Sequence, residues 1–155
     1  MTEVEFHTGL ADPQAFACRL LRKAARRGAQ VLVTAPEAVL AELDRALWTF
    51  DERDFVPHAR LPGASATVLQ RSPIWLAHDT HSALQCAGDV SVGSVPAVLV
   101  NIGAAAPADL QAFTRLIEVV SAYVDEAQAG RERWRAYRAT GLQIVHHQGS
   151  ESRVG

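Results

Sequence analysis

The chain has 155 residues, 48% of them hydrophobic and 21% charged, and a formal net charge of −2. These values suit one globular domain with a sizeable core and exclude a polycation that wraps duplex DNA. No apolar run approaches the ~20 residues that span a bilayer, and Met1 to Glu5 lacks the layout of a signal peptide, so a soluble, cytoplasmic protein is expected.

Strands and helices are predicted to alternate. Val4 to Thr8 reads as a first strand, and Asp12 with Pro13 opens a helix that runs to about Arg27 and stops at Gly28. Gln30 to Thr34 is continuous and β-branched, as a buried parallel strand should be. Thr34 and Glu37 have capping-box spacing for a second helix, with Leu40, Leu43 and Leu47 as its apolar stripe. Phe55 to His58 is extended, because the residue before a proline avoids the helical region. Leu61 to Ser65 reads as loop, Ile74 to Ala77 as strand, and His78 to Gly93 as an irregular connection. Ala97 to Ile102 is a buried strand, a helix is expected from Ala106 to Leu116, and Ile117 to Ala122 reads as a further strand. The last helix covers Asp125 to Thr140 and ends at Gly141, and the polar tail from Gln148 to Gly155 is expected to be disordered. The expected architecture is a three-layer α/β domain over residues 1–147, with a largely parallel, Rossmann-like sheet covered by helices.

The last helix carries the most informative pattern. Arg131, Trp134, Arg135 and Arg138 fall at i, i+3, i+4 and i+7, which sets three guanidiniums around an indole. Such a face suits a ligand with negative charge and a flat or apolar group. A solvated face is the competing reading, and on residues alone the two are even. Tyr137 lies about 60° from Trp134 on the wheel and suits core or contact equally.

The block Glu132-Arg-Trp-Arg-Ala-Tyr-Arg-Ala-Thr-Gly141 resembles the chi subunit family of bacterial DNA polymerase III, and so do Ala46-Leu-Trp48 and Asp54-Phe-Val-Pro-His58. The likeness covers most of residues 3–145 and is weakest over 63–94. It implies an accessory subunit of the replicative clamp loader without catalytic activity or cofactor. It also implies binding of the acidic C-terminal tail of single-stranded-DNA-binding protein, whose last residue is an apolar one such as phenylalanine. Arg131, Arg135 and Arg138 would then meet carboxylates, and Trp134 would wall a pocket for the terminal ring. Ala127 stands where some relatives carry a basic residue. Trp48 and Phe55, flanking the stretch from Thr49 to Asp54, match positions with which the family docks the psi subunit or a helicase; the clamp loader itself is a further candidate partner. On residues alone, core packing explains these two aromatics equally well.

Other patterns carry less. Arg19, Arg22, Lys23, Arg26 and Arg27 form a basic stripe on the first helix, without an interleaved aromatic, and read as a solvated face. Lys23 is the sole lysine, an arginine bias that genome composition also produces. No dinucleotide fingerprint, P-loop or nucleophile elbow occurs. Cys18 and Cys86 form no CxxC pair and read as reduced thiols. His78, Asp79 and His81 with Cys86 match no common zinc spacing, and His146-His147 near the tail persuades no better, so no metal is expected. Two alternatives stay open: an enzyme acting on a small anionic substrate at the arginine face, with His78, Asp79 and His81 as acid–base groups, and direct single-strand binding with a base stacked on Trp134.

Overall fold

The structure is a computed structural model that describes residues 1–49 and 55–149. Phe50 to Asp54, and the tail beyond Gly149, lie outside the described residues. Among the described residues seven strands, all pairing in parallel, form one sheet in the order β3-β4-β2-β5-β6-β1-β7. They are β1 (Glu3–Leu10), β2 (Val31–Thr34), β3 (His58–Arg60), β4 (Ile74–Ala77), β5 (Val98–Asn101), β6 (Arg115–Ser121) and β7 (Ile144–Gln148). The helices are α1 (Pro13–Arg26), α2 (Glu37–Thr49), α3 (Ala66–Arg71), α4 (Thr80–Asp89) and α5 (Val124–Ala139). The three-layer α/β expectation holds.

Strand alternation divides the core into two layers. Val31, Val33, Val100, Ile117 and Val119 face α1 and α2, meeting Phe16, Leu21, Leu40, Leu43 and Leu47. Leu32, Leu99, Leu116 and Val120 face the other way, with Leu69 of α3, Ala83 and Ala87 of α4, and Tyr137 of α5. Helix α1 begins as its sequence demands: the Asp12 carboxylate accepts the Ala15 N–H at 3.0 Å and Pro13 occupies the first turn. Gly28 and Gly141 follow α1 and α5 with φ of +77° and +87°, the left-handed conformation that glycine adopts without strain.

Four local expectations are corrected. Thr34 does not cap α2; it is a buried strand residue whose hydroxyl donates to Asn101 Oδ1 at 3.2 Å. The stretch from His78 to Gly93 is mostly helix, because Asp79 accepts the Ser82 N–H at 2.6 Å and so nucleates α4. No helix runs from Ala106 to Leu116. Only a 3₁₀ turn forms at Leu110–Ala112, the Asp109 carboxylate takes the Thr80 hydroxyl, and the Thr114 N–H bonds Ala97 O at 2.8 Å to start β6. Finally, Ile144–Gln148 adds an edge strand, β7, where none was expected.

The chain reverses direction across the sheet between β1 and β6. Strand β1 leads through α1 towards β2, whereas β6 leads through α5, on the opposite face, past β1 to β7. Adjacent strands that send their helices to opposite faces leave a crevice at their carboxyl ends, the usual place for a ligand in such sheets.

Candidate protein-interaction site

A cavity of about 560 Å³ occupies that crevice. Its floor comes from the carboxyl ends of β1 (Thr8, Gly9), β6 (Val120 to Ala122) and β7 (His146, Gln148), and its wall from Ala127, Gly130, Arg131, Trp134 and Arg135 of α5. Arg131, Trp134 and Arg135 are thus brought together; Arg138, one turn further on, is exposed and outside the lining.

Trp134 is half-buried at the seam between α5 and the sheet. Its ring lies 4.9 Å from Phe6 at 57° and meets His146 edge-on at 5.1 Å and 80°. The Thr8 hydroxyl and His146 Nε2, 2.6 Å apart, hold that imidazole in place. An aromatic fixed from two sides has little rotamer freedom left to lose on binding, which favours it as an anchor.

Helix α5 reaches the sheet through its other face. Gly130, Arg133 and Tyr137 are buried. A Cβ on Gly130 would stand 2.8 Å from Val120 Cγ1, so the close approach requires glycine. Arg133, 8% exposed, donates from Nε to Glu118 Oε1 at 3.0 Å, and Glu118 itself has no exposure. The Tyr137 hydroxyl donates to Glu118 Oε2 at 2.7 Å, Asn101 Nδ2 donates to the same oxygen at 3.0 Å, and Asn101 Oδ1 accepts from Thr34. A buried polar ladder therefore runs from β2 through β5 and β6 into α5, and no buried polar side-chain atom among the described residues lacks a partner. Burial pushes the Glu118 carboxyl upward, opposed by Arg133, Tyr137 and Asn101. Burial, with the Glu118 charge beside it, also pushes the Tyr137 phenol upward, so it remains a donor.

Sequence reasoning missed Glu118 and Arg133. The signal was a lone carboxylate in the apolar run Leu116-Ile-Glu-Val-Val120, which requires a buried cation, and an arginine at i+3 from a buried glycine. Tyr137, left between two roles, is core.

The second pair lies elsewhere. Trp48, at the end of α2, is 60% exposed and Phe55 46%, and their rings stack at 4.7 Å and 27°. His58 closes the cluster: its ring is 5.4 Å from Trp48, Nε2 lies 2.6 Å from Asp44 Oδ1 and Nδ1 2.8 Å from Val56 O. This cluster borders β3, the edge strand opposite β7, so six interstrand spacings of about 4.8 Å, roughly 29 Å, lie between the two edges.

His78 and Asp79 meet at 3.0 Å beyond β4, and neither they nor His81 line the α5 cavity. With Cys86 they do not gather into a metal-sized group among the described residues. Both cysteines are free thiols, Cys18 buried and Cys86 half-buried. Among the described residues, no helix is long and apolar enough to cross a membrane.

Against known proteins, the family model described as DNA polymerase III chi subunit, HolC, matches residues 1–145. The DNA polymerase III subunit chi of Pseudomonas aeruginosa is 34% identical over 156 residues, covering 95% of this chain and 96% of that protein. The family match runs from β1 into the start of β7 and includes helix α5 and the Trp48 cluster: this chain belongs to the DNA polymerase III chi subunit family.

Proposed function

We propose that the protein is a non-catalytic adaptor of the DNA polymerase III clamp loader in DNA replication, acting in the cytoplasm. In this reading it binds the acidic C-terminal tail of single-stranded-DNA-binding protein at the α5 cavity. The observation that carries the reading is the pairing of a fixed, half-buried Trp134 with the exposed guanidiniums of Arg131 and Arg135 around one cavity. A terminal phenyl ring packs against the indole, and the carboxylates of an acidic peptide meet the arginines in charge-assisted hydrogen bonds. The Trp48–Phe55 cluster docks a second partner, the psi subunit, the clamp loader or a helicase, through two large apolar anchors. Because the clusters occupy opposite edges of the sheet, both partners bind at once.

The competing reading, an enzyme acting on a small anion, needs acid–base groups at the arginine face. His78, Asp79 and His81 do not line that cavity.

The test is fluorescence anisotropy of a labelled acidic peptide ending in Asp-Ile-Pro-Phe. Trp134→Ala should weaken binding at least ~30-fold, as for a central anchor worth about 2 kcal/mol. A peptide without the terminal phenylalanine should lose a similar amount. Binding that ignores both changes, or that a thymidine oligonucleotide displaces with equal affinity, would reject the tail reading in favour of direct strand binding.

A further inference from the structure

A second constellation lies on the opposite face of the β1–β7 edge. Glu5 and His7 are two residues apart on β1 and so point to one face. Strand β7 pairs with β1 in the register His7↔His147, which brings a second imidazole beside the first. The two rings stack at 4.7 Å and 13°. His147 Nε2 stands 3.0 Å from Glu5 Oε1, and His7 Nε2 stands 3.6 Å from Glu5 Oε2. One ligating atom from each residue lies within 4.8 Å of the others, and all three side chains are of the kind that binds metal.

We propose that Glu5, His7 and His147 form a binding site for a divalent transition-metal ion, with zinc the ion that best suits the donors. Two imidazole nitrogens and one carboxylate oxygen are a common zinc set, and in a tetrahedral shell such atoms stand roughly 3.4 Å apart. The separations of 3.0 and 3.6 Å to Glu5 are close to that value, and the two stacked rings turn out of parallel for both lone pairs to converge on one ion. The cluster lines a cavity of about 460 Å³ between α1 and the sheet, which leaves the fourth position to water. The ion replaces the protons that the two imidazoles direct at Glu5, and each of these moves to the ring's other nitrogen or to solvent. Arg115 donates to Glu5 Oε2 at 2.9 Å, which orients the carboxylate and leaves Oε1 to the metal. Its charge also opposes a dication, so the dissociation constant is expected in the micromolar range and not in the far tighter range of thiolate sites. Bound metal joins β7 to β1 through side chains as well as backbone.

The experiment uses full-length, tag-free protein titrated with Co²⁺, followed by visible absorption and by Zn²⁺ displacement, with the Zn²⁺-induced rise in melting temperature as a second readout. One Co²⁺ per chain is expected, displaced by zinc. His7→Ala and His147→Ala should each weaken binding at least tenfold, and Glu5→Gln, which keeps the shape of the side chain, should do the same. His81→Ala, remote from the site, should leave binding unchanged. Circular dichroism of each variant separates lost binding from lost folding. No saturable binding by the wild-type protein at millimolar metal, or binding undiminished in folded His7→Ala and Glu5→Gln, would overturn the site. Neither readout involves the acidic peptide, so this outcome is independent of the α5 cavity.

Discussion

The guanidinium of Arg133 and the carboxylate of Glu118 meet at 3.0 Å in a place where neither reaches solvent appreciably. Removing one partner strands the other's charge. Arg133→Ala should therefore cost about 3–5 kcal/mol in urea denaturation. Glu118→Gln also leaves the Arg133 charge without a counter-ion, and its amide nitrogen must face one of the donors Arg133, Tyr137 and Asn101, so it should cost a comparable amount. Replacing both residues with apolar ones of similar volume should cost less than Arg133→Ala alone. A single-variant loss below about 1 kcal/mol would show that the pair is not isolated from water.

Gly130 sets how near α5 lies to β6. Alanine is intrinsically the better helix former by about 1 kcal/mol, yet its methyl would meet Val120 at 2.8 Å. Gly130→Ala should lower stability by about 1–3 kcal/mol, the usual cost of overpacking. The double variant with Val120→Ala should recover part of that loss, so the two changes will not add. Thermal unfolding of the three proteins decides it.

The arginines of α5 should separate by position. Arg131 and Arg135 line the cavity and Arg138 does not. Alanine at either of the first two should weaken the acidic peptide roughly tenfold or more, as loss of a charged hydrogen bond does, whereas Arg138→Ala should change affinity less than about threefold. Raising the salt concentration should compress all of these differences.

Asp79 links pH to the stability of α4. The backbone N–H of Ser82 holds its carboxyl below the ordinary value of 3.8. A carboxylate whose pKa is lower folded than unfolded stabilises above the unfolded value, and that gain disappears as pH falls through the folded one. Asp79→Ala should cost about 1 kcal/mol at neutral pH, as loss of an N-cap does. The gap to wild type should close below about pH 3.8. A constant gap down to full acid unfolding would mean that the charge plays no part.

The two thiols should react at very different rates. Burial pushes Cys18 up to about 11, while Cys86 is partly accessible. A thiol reagent at neutral pH should label one cysteine quickly in the native protein and the second only after unfolding. Mass spectrometry of the labelled peptides identifies which.

Much of this fold was legible wherever local chemistry and burial agree. Asp12-Pro13, Gly28 and Gly141 mark helix ends that the structure keeps. The apolar runs at Val31 and Val98 are central strands, buried by helices on both faces. Legibility failed where a side chain is used at long range: Thr34 bonds Asn101 and Asp109 takes Thr80, so neither acts locally. Strand β7 escaped notice because, as an edge strand, it is mostly solvent-facing and polar. At the cavity, the guanidiniums and the indole followed from helical spacing. Their support did not, because Arg133 resembles its neighbours in sequence and differs only in facing Glu118.

Helix α5 is held from within by Gly130, Arg133 and Tyr137, whereas Arg131, Arg135 and Arg138 are exposed. Selection can alter those outer positions without endangering the fold. The chemistry of this face is thus free to evolve on its own: reversing its charge should give a folded protein that, under the proposed function, no longer binds acidic peptides.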